Sequence, residues 1–192
     1  MLKFIAIFMF KLSGWTLMGQ MPADVKKSII VGAPHTSNLD LIISLGGFHK
    51  MRLPIRFLIK KEWLRYFPVN KILRSAGALG IEREKNNTMV DSIADLISSS
   101  DERMAILITP EGTRKRECKW KTGFYYIALK AEIPIFLSYL DYSKKLAVLG
   151  PSFMPSGNFK SDMQIIRDFY KDVVPKYPEN FCLDIYQDSD FE

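Results

Sequence analysis

Short apolar runs alternate along this chain with longer amphipathic segments, and that alternation narrows the fold more than any other feature. The pattern places strands near residues 28–33, 55–60, 78–82, 104–109, 134–141 and 145–149. Helices are expected near 3–18, 39–50, 62–75, 87–100, 121–131 and 160–174. Strands separated by helices pair in parallel, so the expected class is α/β, with a largely parallel central sheet flanked by helices. No internal repeat, low-complexity tract or Pro/Gly/Ser-rich linker divides the 192 residues. Residues 21–192 read as a single domain with a core of its own, preceded by a helix within residues 1–20. In sheets of this class the loops leaving the carboxyl ends of strands gather along one edge.

The run Ser28-Ile29-Ile30-Val31-Gly32 leads directly into Ala33-Pro34-His35-Thr36-Ser37-Asn38-Leu39-Asp40, which holds one of the two histidines. A carboxylate in the first turn of the next helix can keep one imidazole nitrogen protonated and steady the imidazolium. The other nitrogen is then left to take a proton from a hydroxyl. Met104 to Ile108 leads in the same way into Thr109-Pro110-Glu111-Gly112-Thr113-Arg114. That turn combines a carboxylate, a flexible backbone position, a hydroxyl and a guanidinium able to bind phosphate through two parallel hydrogen bonds. Gly77-Ala78-Leu79-Gly80-Ile81-Glu82-Arg83 lies between the two, and Ile133-Pro134-Ile135 follows them. His35, Arg83 and the Glu111–Arg114 turn all fall at strand ends, so the pattern expects them to converge.

In this order the four segments resemble the sequence blocks of the glycerolipid acyltransferases, the glycerol-phosphate and lysophosphatidate acyltransferase family. Those blocks read H-x-x-x-x-D, a glycine-led block ending in arginine, E-G-T-R, and a proline-centred strand. The resemblance spans roughly residues 28 to 150, and its specificity lies in the first and third motifs standing about seventy residues apart. It implies that His35 is the general base and Asp40 its orienting partner. Arg83, Glu111, Gly112, Thr113 and Arg114 would bind the phosphate end of the acceptor. Nearby backbone amides would stabilise the oxyanion, and the acceptor hydroxyl would attack the thioester directly. Ser37, two residues from the base, reads as a helix-capping or polar-lining residue rather than a nucleophile. The chain departs from the family pattern at Pro34, where asparagine is usual, and at Gly80, where a bulky aromatic is common. Leu137 and Ser138 stand where a second proline is common.

Charge and composition place partners. The net charge is +6, and Lys50, Arg52, Arg56, Lys60, Lys61, Arg65, Lys71 and Arg74 crowd one stretch opposed only by Glu62. The C-terminal end is acidic, with Asp184, Asp188, Asp190 and Glu192. A localised anion-facing surface is expected. Aromatics interleave with these cations, yet no nucleic-acid-binding module signature appears, so nucleic acid is not an expected partner. Cys118 and Cys182 offer neither metal-ligand spacing nor a disulfide framework, which reads as a reduced protein facing the cytosol. The apolar run Phe4 to Phe10 is far short of the roughly twenty residues that span a bilayer. With Lys3, Lys11 and Trp15 around it, residues 1–20 read as an interfacial helix lying on a membrane surface, the alternative being a helix packed on the domain's own core.

The expected activity is therefore transfer of a fatty acyl group from acyl-CoA or acyl carrier protein to a lysophospholipid hydroxyl. No cofactor or metal is expected. The resemblance points to 1-acylglycerol 3-phosphate as acceptor and phosphatidate as product, at the cytoplasmic face of a membrane. A phosphate-free lysolipid such as a lyso-aminoacyl lipid is the alternative acceptor. A catalytically silent module binding anionic lipid is the alternative outside enzymes.

Overall fold

The central strands are apolar on both faces, as a sheet covered by helices on each side requires. In β2 (Lys27–Gly32), Ile29 and Val31 enter one layer and Ile30 the other. In β5 (Met104–Ile108), Met104 and Ile106 alternate with Ala105 and Leu107 in the same way. β6 (Ile135–Asp141) repeats the pattern with Ile135 and Leu137 against Phe136. A computed structural model describes residues 2–81 and 86–183 of the chain. Within it these strands join β1 (Thr16–Met18), β3 (Ile55–Lys60), β4 (Ala78–Ile81) and β7 (Leu146–Phe153) in one sheet, ordered β1-β7-β6-β2-β5-β3-β4. The strands from β6 to β4 are parallel to one another. β7 runs antiparallel to β6, and β1 is parallel to β7. This is the α/β class expected, with a mostly parallel sheet.

Helices cover both faces. α4 (Asn86–Ser99), α5 (Gly123–Lys130) and α6 (Phe159–Tyr170) enclose one layer, where Ile97, Phe124, Ile166 and Tyr170 meet Ile29, Ile106 and Ile135. α1 (Leu2–Leu12) and α2 (Asn38–Lys50) cover the other, bringing Ala6, Leu45 and Phe48 to Ile30, Ala105 and Phe136. α3 (Val69–Ser75) connects β3 to β4. Each fully buried Ile or Leu here contributes about 1.5–3 kcal/mol relative to an exposed one. Gly46 permits close contact between α1 and α2. A Cβ there would overlap the Ala6 carbonyl and lie 2.7 Å from Phe10 Cβ.

Three expectations are corrected. The first helix ends at Leu12 rather than near 18. Ser13 Oγ donates to the Met9 carbonyl at 2.6 Å and Gly14 takes a positive φ, after which β1 pairs with β7. α1 buries Ala6 and Phe10 but leaves Phe4, Phe8 and Leu12 on its outer side. The helix expected over 62–75 is a 3-10 turn at Lys61–Arg65 and a separate α3, with Pro68 at the break. Cys118 and Cys182, expected to be reduced, form a disulfide across a separation of 64 residues. The fold lays the segment after α6 beside the loop after β5, a juxtaposition that spacing along the chain does not encode. Arg83 and the acidic residues Asp184, Asp188, Asp190 and Glu192 lie outside the described residues, as does residue 82 of the expected third strand.

Candidate active site

β6, β2 and β5 are neighbours, so the loops from their carboxyl ends meet at one edge of the sheet. His35 follows β2, Glu111 follows β5, and Tyr142 is the first residue after β6. The turn between β2 and α2 is shaped by a capping box. Ser37, in an extended conformation, accepts the Leu39 N–H on its hydroxyl at 3.2 Å, and Asp40 reaches back to the Ser37 N–H. Ser37 is thus the helix cap that the sequence suggested.

Asp40 is the hub of the turn. Its Oδ2 accepts the Thr36 N–H at 2.9 Å and the Ser37 N–H at 2.8 Å, and lies 3.3 Å from His35 Nδ1. Its Oδ1 accepts the Tyr142 hydroxyl at 2.6 Å. Burial pushes the Asp40 carboxyl up, but hydrogen bonds from His35, Tyr142 and Ser37, with the His35 charge, hold it below its ordinary value. Asp40 therefore stays a carboxylate at neutral pH. With Nδ1 engaged, the His35 ring keeps Nε2 for a reactant.

Glu111 is buried beside this turn and accepts the His35 N–H on both oxygens, at 3.1 and 3.0 Å. Burial pushes its carboxyl up to about 7; the His35 amide opposes that shift and the Asp40 charge adds to it. The backbone amides of residues 35, 36 and 37 are all committed to these two carboxylates. The amide donors expected for an oxyanion are therefore not these three.

A cavity of about 910 Å3 opens from His35 and Asp40 into the space between the sheet and α4 and α5. Its walls are largely apolar, with Leu58, Val90, Leu107, Phe124, Ile127 and Leu140 among them. Pro34, standing where the family has asparagine, also lines it. The size and lining suit a small-molecule site with one polar end. The aromatic stretch at 120–126 divides between two roles. Trp120, Phe124 and Tyr126 line the cavity, whereas buried Tyr125 turns away to donate to Asp162 at 2.9 Å.

The Glu111–Arg114 turn separates in space. Gly112, with a φ of 65°, lines the cavity, while half-buried Thr113 and exposed Arg114 do not. Among the described residues Arg114 makes no hydrogen bond or ion pair. Thr113 Oγ1 accepts the Lys115 N–H at 3.2 Å. The cations at the wall are Lys119 and Lys121, and Lys121 Nζ would lie 2.9 Å from a Cβ on Gly112. The structure thus brings together His35, Asp40, Glu111 and Gly112, leaves Thr113 and Arg114 off the cavity wall, and adds Lys121 and Tyr142. Neither addition stands in a motif that could have marked it. Gly80 is packed under the 3-10 turn, where a Cβ would lie 2.7 Å from Leu64 Cδ1, so Leu64 occupies the room of a larger side chain.

The segment after α6 buttresses the site. Tyr177 N–H donates to Thr36 Oγ1 at 3.2 Å, and Tyr142 N–H donates to the Val174 carbonyl at 2.9 Å. Arg116 donates to the carbonyls of Glu179 and Phe181, next to the Cys118–Cys182 disulfide.

The chain matches the Acyltransferase family over residues 16–137, a stretch that includes β2, β5 and both motif turns. It is 31% identical over 127 residues to human 1-acyl-sn-glycerol-3-phosphate acyltransferase beta, covering 59% of this chain and 45% of that protein. It is 28% identical over 139 residues to a probable 1-acyl-sn-glycerol-3-phosphate acyltransferase of Mycoplasma pneumoniae, covering 69% of this chain and 52% of that one. The chain spans about half the length of these curated relatives. Its fold is similar to the crystal structure of the 1-acyl-sn-glycerophosphate acyltransferase PlsC from Thermotoga maritima. The TM-score is 0.59 at 16% identity, over 90% of this chain and 75% of that one. Because the match takes in the strands and turns that assemble His35, Asp40 and Glu111, the chain belongs to the Acyltransferase family.

Proposed function

We propose that this protein transfers a fatty acyl group from a thioester to the hydroxyl of a lysophospholipid, with 1-acylglycerol 3-phosphate as acceptor and phosphatidate as product. The observation that carries this reading is the His35–Asp40 pair, 3.3 Å apart, at the polar end of a large apolar cavity. His35 Nε2 takes the acceptor's hydroxyl proton as the oxygen attacks the thioester carbonyl. The tetrahedral intermediate then expels the thiolate, which recovers the proton from the imidazolium. Asp40 stabilises that imidazolium. Binding energy from the acyl chains in the cavity serves to orient the hydroxyl. The relatives' names support the acceptor class, since two are acyltransferases of 1-acyl-sn-glycerol 3-phosphate.

The donor in this reading is acyl-CoA or acyl carrier protein, both anionic partners for the basic stretch after α2. The location is the cytoplasmic face of a membrane, with α1 lying at the interface. Among the described residues no helix is long and apolar enough to cross a membrane. The pairing of the cysteines removes one argument for a cytosol-facing protein. The location now rests on the exposed apolar side of α1 and the basic stretch beside it.

A phosphate-free lysolipid is the second reading of the acceptor, favoured by the absence of Arg114 from the cavity wall. The test is an acyl-transfer assay on purified protein, offering palmitoyl-CoA or acyl carrier protein with either acceptor, beside His35→Ala. His35-dependent phosphatidate is expected. Transfer only to the phosphate-free acceptor would keep the chemistry and overturn the phosphate assignment. No transfer to either would overturn the reading.

A further inference from the structure

Asp40 has two oxygens, and the one that does not face His35 is bonded to a residue outside the family match. Tyr142 lies beyond residues 16–137, and its hydroxyl donates to Asp40 Oδ1 at 2.6 Å. Oδ2 is left to Thr36 N–H, Ser37 N–H and His35 Nδ1. We propose that Tyr142 is a positioning residue of the acyl-transfer site, whose hydroxyl fixes the Asp40 carboxylate so that Oδ2 stays on His35. This inference rests on the function proposed above.

The terminal torsion of aspartate is broad, so a carboxylate held through one oxygen can swing about its last bond. A bond to the other oxygen from the residue just after β6 removes that freedom. An O–H donor to a carboxylate at this length belongs to the strong, charge-assisted class. The donor is itself held rigidly. Tyr142 N–H is bonded to the Val174 carbonyl at 2.9 Å, and its ring packs edge-on against Trp15 with centroids 4.9 Å apart. Both supports survive when the hydroxyl alone is removed.

Electrostatics point the same way. Burial, together with the hydrogen bond to Asp40, pushes the Tyr142 phenol well above its ordinary value, so the hydroxyl keeps its proton and remains a donor. The titratable groups facing Asp40 are His35 from its own turn, Glu111 from the loop after β5, and Tyr142 after β6. Tyr177, from the segment after α6, faces Tyr142 in turn. Of these, Tyr142 is the one neutral donor to Oδ1.

Tyr142→Phe tests the assignment. The expected fall in kcat is about 10–100-fold, as for loss of one hydrogen bond to a charged group. KM for thioester and acceptor should stay within about twofold, because the ring packing and cavity are untouched. Asp40 loses a bond that favours its charged form. The acid limb of the kcat profile should therefore move to higher pH, and the 13C NMR titration of the Asp40 carboxyl should move with it. Wild-type protein that transfers no acyl group overturns the proposed function and takes this inference with it. An active wild type with an unchanged Tyr142→Phe kcat, or an Asp40 titration that does not move, overturns the inference alone. A variant that raises KM at constant kcat assigns Tyr142 to substrate binding and likewise overturns it.

Discussion

Glu111 holds His35 by its backbone: both carboxylate oxygens accept the His35 N–H, at 3.1 and 3.0 Å. The glutamate of the E-G-T-R turn thereby fixes the height of the imidazole above the sheet, coupling the end of β5 to the end of β2.

That burial has a pH signature. The Glu111 carboxyl rises from 4.5 in the unfolded chain to about 7 in the fold. Below the unfolded value both states are protonated and the contribution is fully present. Between the two values the unfolded chain releases its proton while the native protein keeps it, so stability falls as pH rises. The loss reaches about 3 kcal/mol above the folded value. Asp40 acts in the opposite sense, and its contribution is lost only as pH falls below the ordinary carboxylate range. Urea unfolding from pH 5 to 7.5 should show the decline in wild type, and Glu111→Gln should flatten it. An unchanged slope in the variant would place the titrating group elsewhere.

The sequence made the parallel core legible because buried strands are short, apolar and uninterrupted, as Ile29–Val31 and Ala105–Leu107 are. β1 was not legible. Its three residues are partly exposed and too few to show an alternation of their own, so they read as more of the preceding helix. The site divides along the same line. His35 and Glu111 meet because each stands just past a strand end, and Asp40 joins them from the first turn of α2, a placement that periodicity reveals. Tyr142 also stands just past a strand end, but no motif marks it and its partner Asp40 lies 102 residues away; Cys118 meets Cys182 across 64 through a loop path that no local pattern specifies. Lys121 enters the wall only because the loop folds back, its N–H donating to the Pro110 carbonyl at 2.8 Å.

The disulfide should matter to both stability and binding. In the chain-entropy account, closing a loop of this length stabilises the fold by about 4 kcal/mol. Cys118 also follows Arg114 and Arg116 in the loop that borders the cavity, so opening the bond removes the covalent tie of that loop to the segment after α6 and leaves the Arg116 hydrogen bonds to hold it. Cys182→Ser is expected to lower Tm and to raise KM for the acceptor severalfold, leaving kcat near wild type. Calorimetry with and without reductant, alongside steady-state kinetics, checks both. A Tm unaffected by reductant would contradict it.

Recognition of an acceptor phosphate, in the proposed function, can be apportioned between Arg114, two residues beyond Gly112, and Lys121 at the wall. If a phosphate bridges them, Arg114→Ala and Lys121→Met should each raise KM for 1-acylglycerol 3-phosphate. The expected increase is about 10–100-fold, the range for a hydrogen bond to a charged group. KM for a phosphate-free lysolipid should be unchanged in both. Equal losses on the two acceptors would mean that neither cation reads the phosphate.

α1 is apolar on both sides. Ala6 and Phe10 are 2% and 1% exposed against α2, whereas Phe4, Phe8 and Leu12, spaced four apart, are 75%, 60% and 69% exposed. Residues at that spacing form one stripe along a helix. Trp63, Tyr66 and Phe67 are likewise exposed, on the basic stretch that carries Lys60, Lys61, Arg65 and Lys71. Insertion of these side chains among acyl chains, with the cations at headgroup level, is the proposed membrane contact. A Phe4→Glu/Phe8→Glu variant changes only outward-facing positions and should keep its melting temperature. It should lose sedimentation with vesicles containing anionic lipid while retaining turnover on detergent-dispersed substrates. Sedimentation at the wild-type level would remove α1 from the membrane contact. Equal sedimentation of wild type with neutral and anionic vesicles would remove the basic stretch.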